Sequence, residues 1–177
     1  MQDCRVVLRL VRDPELTERL REDVVALWIA VTNAGGAVGF VGQVGPAQVG
    51  PVARRTFAGV AEGHDRLLVG YAGDRLVGLL VLVGQRFALA EHWRSVTRVM
   101  VHPALQGQGY GAALLREAER MARDAGWDGL HLTVRAGAGV ERFYAGLGYK
   151  EVGRLPGAIR VAPGDDRDEI HMWLSLG

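Results

Sequence analysis

Arg94-Ser95-Val96-Thr97-Arg98-Val99-Met100-Val101-His102-Pro103-Ala104-Leu105-Gln106-Gly107-Gln108-Gly109-Tyr110-Gly111-Ala112 changes character three times in nineteen residues. Arg94 to Val101 is rich in β-branched residues and reads as a strand. His102-Pro103 ends it, because proline cannot donate to a ladder. Gln106 to Ala112 is a glycine turn, and a helix from Tyr110 to Ala125 follows. Leu114, Leu115, Ala118, Met121, Ala122 and Ala125 form its apolar face. Arg116, Glu117, Glu119, Arg120 and Arg123 form the opposite face, with Glu119 and Arg123 a favourable i,i+4 pair. A helix start leaves about four backbone N–H groups unpaired and carries roughly half a positive charge. Glycines remove the side chains that would keep a phosphate from those donors. The turn therefore predicts a site for a phosphate or pyrophosphate.

Gly107-x-Gly109-x-x-Ala112 also fits the dinucleotide pattern G-x-G-x-x-G/A, and Asp128 lies 19 residues after Gly109. That reading fails on context. His102 to Gln106 separates the glycines from their strand, and Asp128 precedes the next strand instead of ending it. No G-K-[ST] follows, so a P-loop is excluded.

Outward from this unit the chain reads β-α-α-β-β-β-α-β-α-β-β, an α/β chain with a largely antiparallel first half. Cys4 to Leu10 is the first strand. Asp13-Pro14 reads as an N-cap with proline at the first helical position, followed by Leu16, Leu20, Val24, Leu27 and Val31 on one face. Gly35 to Pro51 holds six glycines and two prolines among apolar residues. It reads either as a substrate-covering loop or as an incidental long connection. Val52 to Ala61 reads as a short helix, and Gly73-Asp74-Arg75 as a hairpin turn between two apolar runs. Leu130 to Val134 is a short strand and Gly139 to Leu147 a short helix. Tyr149 to Arg154 and Asp168 to Leu176 read as the last two strands.

The 177 residues suit one domain, residues 1–177. Apolar residues make up 49% and charged residues 23%, a globular balance that excludes whole-chain disorder. Net charge is +1, without the basic excess that phosphate-tracking domains carry, so no nucleic-acid partner is expected. No apolar run reaches the ~18 residues of a membrane span, and the N-terminus lacks the apolar region of a secretory signal. These points lead to expectations of a cytoplasmic location and no membrane partner. Cys4 is the only cysteine, which excludes an internal disulfide and a thiolate zinc site, and no metal is expected. It reads as a small buried apolar residue, not a nucleophile.

Val99-x-Val101-x-Pro103-x-x-Gln106-x-x-Gly109-x-Gly111 resembles the acyl-CoA-binding signature of the GNAT superfamily of N-acyltransferases, Q/R-x-x-G-x-G/A. Phe143-Tyr144-x-x-x-Gly148-Tyr149 resembles the family's second block, in the family's order. The resemblance covers most of the chain. Gly35-Gly36-x-Val38-Gly39-Phe40, Leu130-His131-Leu132 and Leu155-Pro156-Gly157 look closest to the tabtoxin-resistance acetyltransferase type. The resemblance implies a mixed, mostly antiparallel central sheet with helices on both faces and a splayed central strand pair. It implies acetyl-CoA as co-substrate and direct transfer of acetyl to an amine in a ternary complex. The backbone of Gln106, Gly107, Gln108, Gly109, Tyr110, Gly111 and Ala112 would hold the pyrophosphate. Val99, Met100 and Val101 would pair with the pantetheine arm, one N–H polarising the thioester carbonyl. Tyr144 would protonate the departing thiolate, a role that a phenol near pKa 10 can fill.

The general base is not implied by the resemblance. An alkyl amine of pKa near 10.4 is neutral about one part in 2,500 at pH 7, a penalty of roughly 4.6 kcal/mol. Relatives of the tabtoxin type carry an acid where this chain has Thr133. Glu91 and His131 are equal candidates, with His92 a third. Asp165, Asp166, Asp168 and Glu169 fall in the turn before the last strand and could attract a cationic amine. Their plainer reading, a solvated tip partly neutralised by Arg160 and Arg167, is preferred. Trp28, Phe40 and Trp93 could line a pocket, though aromatics at such positions are usually core. The expected partner is a small-molecule amine, an antibiotic or toxin among the options, and a homodimer is compatible. Acetylation of a protein or peptide amine and a non-catalytic acyl-CoA-binding sensor are the alternatives, with a nucleotide-binding regulator more distant.

Overall fold

A computed structural model describes residues 7–177. The elements follow the expected order. They are β1 (Leu8–Arg12), α1 (Glu18–Asn33), α2 (Pro46–Ala61), β2 (Arg66–Ala72), β3 (Arg75–Gly84), β4 (Trp93–Val101), α3 (Tyr110–Asp124), β5 (Gly129–Arg135), α4 (Val140–Ala145), β6 (Lys150–Ala162) and β7 (Asp165–Ser175). Short 3-10 turns stand at Ala88–Ala90 and Pro103–Leu105.

The strands form one seven-stranded sheet in the order β1-β2-β3-β4-β5-β7-β6. Every neighbouring pair is antiparallel except β4 and β5. That parallel pair keeps register only from Trp93, Arg94 and Ser95 to Gly129, Leu130 and His131. Beyond Ser95 the two strands part, leaving a V open in the middle of the sheet. The mixed sheet and its splayed pair match the expectation.

Alternation sends neighbouring residues to opposite faces. Leu67, Val69, Leu79, Val81 and Met100 pack with Leu20, Val24, Leu27, Trp28 and Val31 of α1 and with Val49, Ala53 and Phe57 of α2. Leu68, Leu80, Leu82, Leu130 and Leu132 pack with Leu114, Leu115, Ala118, Met121 and Ala122 of α3 on the other face. Burying two opposed faces of the same strands gives β2 and β3 their continuous apolar runs.

Four boundaries differ from the sequence reading. Asp13 does not cap α1; Thr17 does, its side chain accepting from the Leu20 N–H at 3.2 Å. Asp13 instead takes a left-handed backbone (φ 44) and binds the Arg66 guanidinium, its Oδ1 also accepting from the Leu67 N–H. The loop expected over Gly35–Pro51 is shorter, because α2 starts at Pro46. Glycines and Pro51 lower helix propensity there, but burial of Val49, Ala53 and Phe57 overrides it. The last two strands are longer than expected and form a hairpin. Pro156 and bulges fit within β6 because β6 is the sheet edge, where a missing donor costs little. The acidic residues Asp165 to Glu169 consequently lie in β7, not in a turn before it. Cys4, Arg5 and Val6 of the expected first strand lie outside the described residues.

Candidate active site

The open V is the mouth of a cavity of about 1120 Å³. Its walls are β4 from Val96 to Val99 with Val101, β5 from Leu132 to Arg135, the glycine turn, α4 and the segment Gly35 to Val41. Ile159 and Val161 of β6 close it from the sheet edge.

At one end stands the glycine turn. Gly107 (φ 76) and Gly109 (φ 86) are both left-handed, and nothing lies within 4 Å of where a Cβ would stand on either. Gly109 is the N-cap of α3 and offers no side chain to the first amides. The helix therefore presents its first N–H groups through an open backbone approach. The Gln106 side chain donates to the Val101 carbonyl at 3.1 Å and fastens the turn to the end of β4. Gln106, Gly107, Gly109, Tyr110, Gly111 and Ala112 line the cavity; Gln108 does not, and its amide reaches back to the Ala104 carbonyl at 3.5 Å. Val99 and Val101 line it too, whereas Met100 points into the core against α1.

Tyr144 reaches the same cavity from α4, a helix begun by left-handed Gly139 and followed by left-handed Gly148. Its ring meets those of Phe143 and Tyr149 edge-on. Burial pushes its hydroxyl up to about 12, which keeps the phenol protonated.

His131 stands at the vertex of the V, where β4 and β5 stop pairing, one residue before the stretch of β5 that lines the cavity and not itself part of the lining. Its Nε2 lies 3.1 Å from His171 Nδ1, and His171 Nε2 lies 3.3 Å from Glu169 Oε1. Trp93 packs edge-on against His131 and against Trp173. Burial, and then the neighbouring His171, push the His131 pKa down, although Glu169 opposes this. Glu91 is exposed at the end of the turn Ala88–Ala90, outside the cavity wall, and its carbonyl accepts from Arg94. His92 is also exposed, before β4. The acidic residues of β7 are largely engaged: Asp165 pairs with Arg167, Asp166 with Arg160 at 2.7 Å, and Asp168 accepts from the Gly157 N–H at 3.1 Å. Of the aromatics, Phe40 lines the cavity, Trp28 is core, and Trp93 stands beside His131.

Two features escape the sequence reading. His171 and Glu169 share the spacing of two that puts strand residues on one face. Only the β5–β7 register, with Thr133 opposite His171, brings them to His131. Arg98 is the second. Between Leu79↔Met100 and Val81↔Thr97, β4 carries one residue more than β3, a bulge. Arg98 sits in it with φ 55 and lines the cavity. A signal existed in the cation standing inside the apolar run Val96–Val101. Among the described residues no group of three or more His, Cys, Asp or Glu side chains is arranged to hold a metal. No described helix is long and apolar enough to cross a membrane.

Residues 43–156 match the family model of the acetyltransferase (GNAT) domain. A curated relative, the tRNA uridine(34) acetyltransferase of Methanocaldococcus infernus, is 38% identical over 64 residues, 36% of this chain. The match spans only 12% of that relative's length. The ribosomal-protein-alanine N-acetyltransferase of Brucella melitensis superposes with a TM-score of 0.76 at 19% identity, covering 96% of this chain and 99% of that one. The protein yncA of Salmonella typhimurium, solved with its cofactor acetyl-CoA, superposes with a TM-score of 0.74 at 18% identity, covering 97% and 95%. At such identities the two likenesses establish the fold.

Proposed function

The chain belongs to the GNAT acetyltransferase family, and from that premise we propose that it transfers acetyl from acetyl-CoA to the amine of a small molecule. Transfer is direct, within one complex of protein and both substrates. The observation that carries this reading is a single cavity shared by the glycine turn, the parted edge of β4 and Tyr144.

The site suits an acyl-CoA. Uncapped amides at the start of α3, with open space around two left-handed glycines, match a pyrophosphate. The β4 backbone beyond Ser95 has no β5 partner, so a pantetheine arm can pair there as a short strand. A backbone N–H of β4 around Val99 polarises the thioester carbonyl in this reading. Acetyl-CoA supplies an activated acyl group; the chain supplies position and proton handling.

His131 is the base in this reading. With its Nε2–H facing His171 Nδ1, its Nδ1 is left to take the amine's proton, directly or through water. The Glu169 carboxylate, 3.3 Å from His171 Nε2, partly offsets the positive charge that results. The lowered pKa keeps His131 neutral, and so able to accept, at pH 7. Tyr144 is the acid. A phenol at about 12 lies well above a thiol's usual ~8.5, so it acts chiefly by donating a hydrogen bond to the departing sulfur, full proton transfer to it being uphill.

A small acceptor is favoured because Gly35 to Val41 and the far end of β6 narrow the cavity from two sides. An acceptor of the tabtoxin-resistance kind, an amine antibiotic or toxin, belongs to this proposal. Thiol release from acetyl-CoA against pools of amino-acid-like amines, aminoglycosides, polyamines and peptide N-termini tests it. Release with a small-amine pool is the expected result. Release with peptides alone overturns the acceptor class, and acetyl-CoA binding without release from any pool points to a sensor.

A further inference from the structure

Most arginines around the site have an acidic neighbour. Arg154, Arg160 and Arg167 form ion pairs along the β6–β7 hairpin. Arg135, which also lines the cavity, lies close enough to Asp165 to help hold that carboxyl down. Arg98 is different. Among the described residues it forms no ion pair, and its Nε is buried with no hydrogen-bond partner. Its guanidinium carbon lies 4.7 Å from the centre of the buried Trp28 ring. Burial alone pulls its pKa down, because no facing carboxylate offsets the lost water.

The surroundings of Arg98 are built. Trp28 Nε1 donates to the Val38 carbonyl at 2.9 Å, which ties the segment Gly35–Val41 to the helix under Arg98. Left-handed Gly39 lies so close that a Cβ there would stand 3.2 Å from Nη1 of Arg98. The β4 bulge holds Arg98 at φ 55, a left-handed conformation that is strained for a residue with a Cβ. Strain of this kind persists where the surrounding structure imposes it, and it concentrates at ligand sites. Trp28 covers one face of the guanidinium, while the in-plane N–H edge is the part that binds a carboxylate in two parallel bonds.

Building on the small-amine reading, we propose that Arg98 binds a carboxylate carried by the acceptor, which makes the acceptor an amino-acid-like amine. A carboxylate entering the cavity supplies the counter-charge that the described residues do not. A polycationic amine would bring like charge to a desolvated cation. Arg98 immediately precedes Val99, so the carboxylate is held beside the β4 backbone proposed to polarise the thioester. That places the acceptor's amine a few bonds from its acid group.

The test is thiol release with matched pairs, each an amino acid and its carboxamide, alongside polyamines. Wild type is expected to favour the acids by about tenfold or more in kcat/KM, the scale of a charged hydrogen-bonded pair. Arg98→Gln should bring that ratio close to one through KM for the acid, with acetyl-CoA affinity unchanged. Arg98→Lys should keep part of the preference, and its melting temperature checks that the bulge survives. A ratio near one in wild type, an unchanged ratio in Arg98→Gln, or a loss confined to acetyl-CoA affinity overturns the assignment. Turnover limited to carboxamides or polyamines removes the carboxylate site and leaves acetyl transfer standing. If no amine turns over, the small-amine reading itself has failed. Arg98 is then judged by titrating N-acetyl amino acids and their amides into the CoA-bound protein. Acid binding that Arg98→Gln abolishes supports the site; equal or absent acid binding overturns it.

Discussion

The two ends of the cavity are made of different material. At the turn from Gln106 to Ala112 the wall is largely backbone, open because nothing lies within 4 Å of a Cβ on Gly107 or Gly109. At the vertex of the V it is side chains that gather: Arg98 from β4 lines the cavity, and His131 from β5, with His171 and Glu169 from β7, stands behind the lining. The first end is local: six of seven consecutive residues line it, and their spacing alone shapes that wall. The second is assembled across three strands and has no shape until the sheet exists. A backbone site tolerates almost any side chain it does not need and fails when the chain cannot adopt its φ. A side-chain site keeps its backbone under substitution and changes its chemistry instead.

Gly109→Val breaks the comparison at its stronger end. Open space surrounds the Cβ position, so the fold survives, but a branched residue at φ 86 is strained. A turn that relaxes to a negative φ withdraws its amides from the phosphates. Losing two charge-assisted bonds at about 1.5–3 kcal/mol each predicts roughly 10³-fold weaker acetyl-CoA binding by titration. Unchanged affinity would mean that the turn is not the anion site.

Tyr144→Phe sharpens the comparison in the middle of the cavity. The ring packing against Phe143 and Tyr149 is retained, and only the hydroxyl goes. General acids contribute about 10²–10⁴ in rate, and a phenol raised to about 12 belongs at the low end, so kcat should drop roughly 10²-fold. Acetyl-CoA affinity should stay within about threefold, because no positioning amide is touched. Full turnover in this variant would take Tyr144 out of the chemistry.

What could be read in the sequence follows the same division. The turn, the amphipathic stripe of α3 and the hairpin at Gly73 were legible because each depends on near neighbours and on φ. The family blocks carried Tyr144 with them. His131 reads in the sequence only as a strand histidine, level with Glu91, because the β5–β7 register that puts His171 beside it is not local. Arg98 interrupts an apolar run, but that no described carboxylate pairs with it is a fact about every other element near it. The full extent of α2 was hidden because its glycines and Pro51 argue against the helix that burial of Val49, Ala53 and Phe57 imposes.

His131→Gln tests the weaker end, and its effects are the smallest. In wild type, log kcat/KM should climb with a slope near two below the His131 pKa, since amine and base must both lose protons. Above that pKa, which lies under 6.5, the slope should fall to one. The variant should show a slope of one throughout and about tenfold lower activity at neutral pH. Stability gives a second readout that needs no substrate. The folded protein disfavours the His131 cation, because burial and His171 depress its pKa, whereas an unfolded histidine titrates near 6.5. As pH falls through 6.5 the unfolded chain takes up a proton that the fold refuses, so this group's contribution is full above that pH. It declines until the folded pKa is reached and is then constant. His102, also depressed by burial and by Arg75, acts with the same sign in both proteins and cancels in the difference. Urea midpoints at pH 7.5 and 5.5 should therefore fall further in wild type than in His131→Gln. Equal falls would mean that His131 carries its charge as readily folded as unfolded, which a neutral acceptor at the vertex of the V could not do.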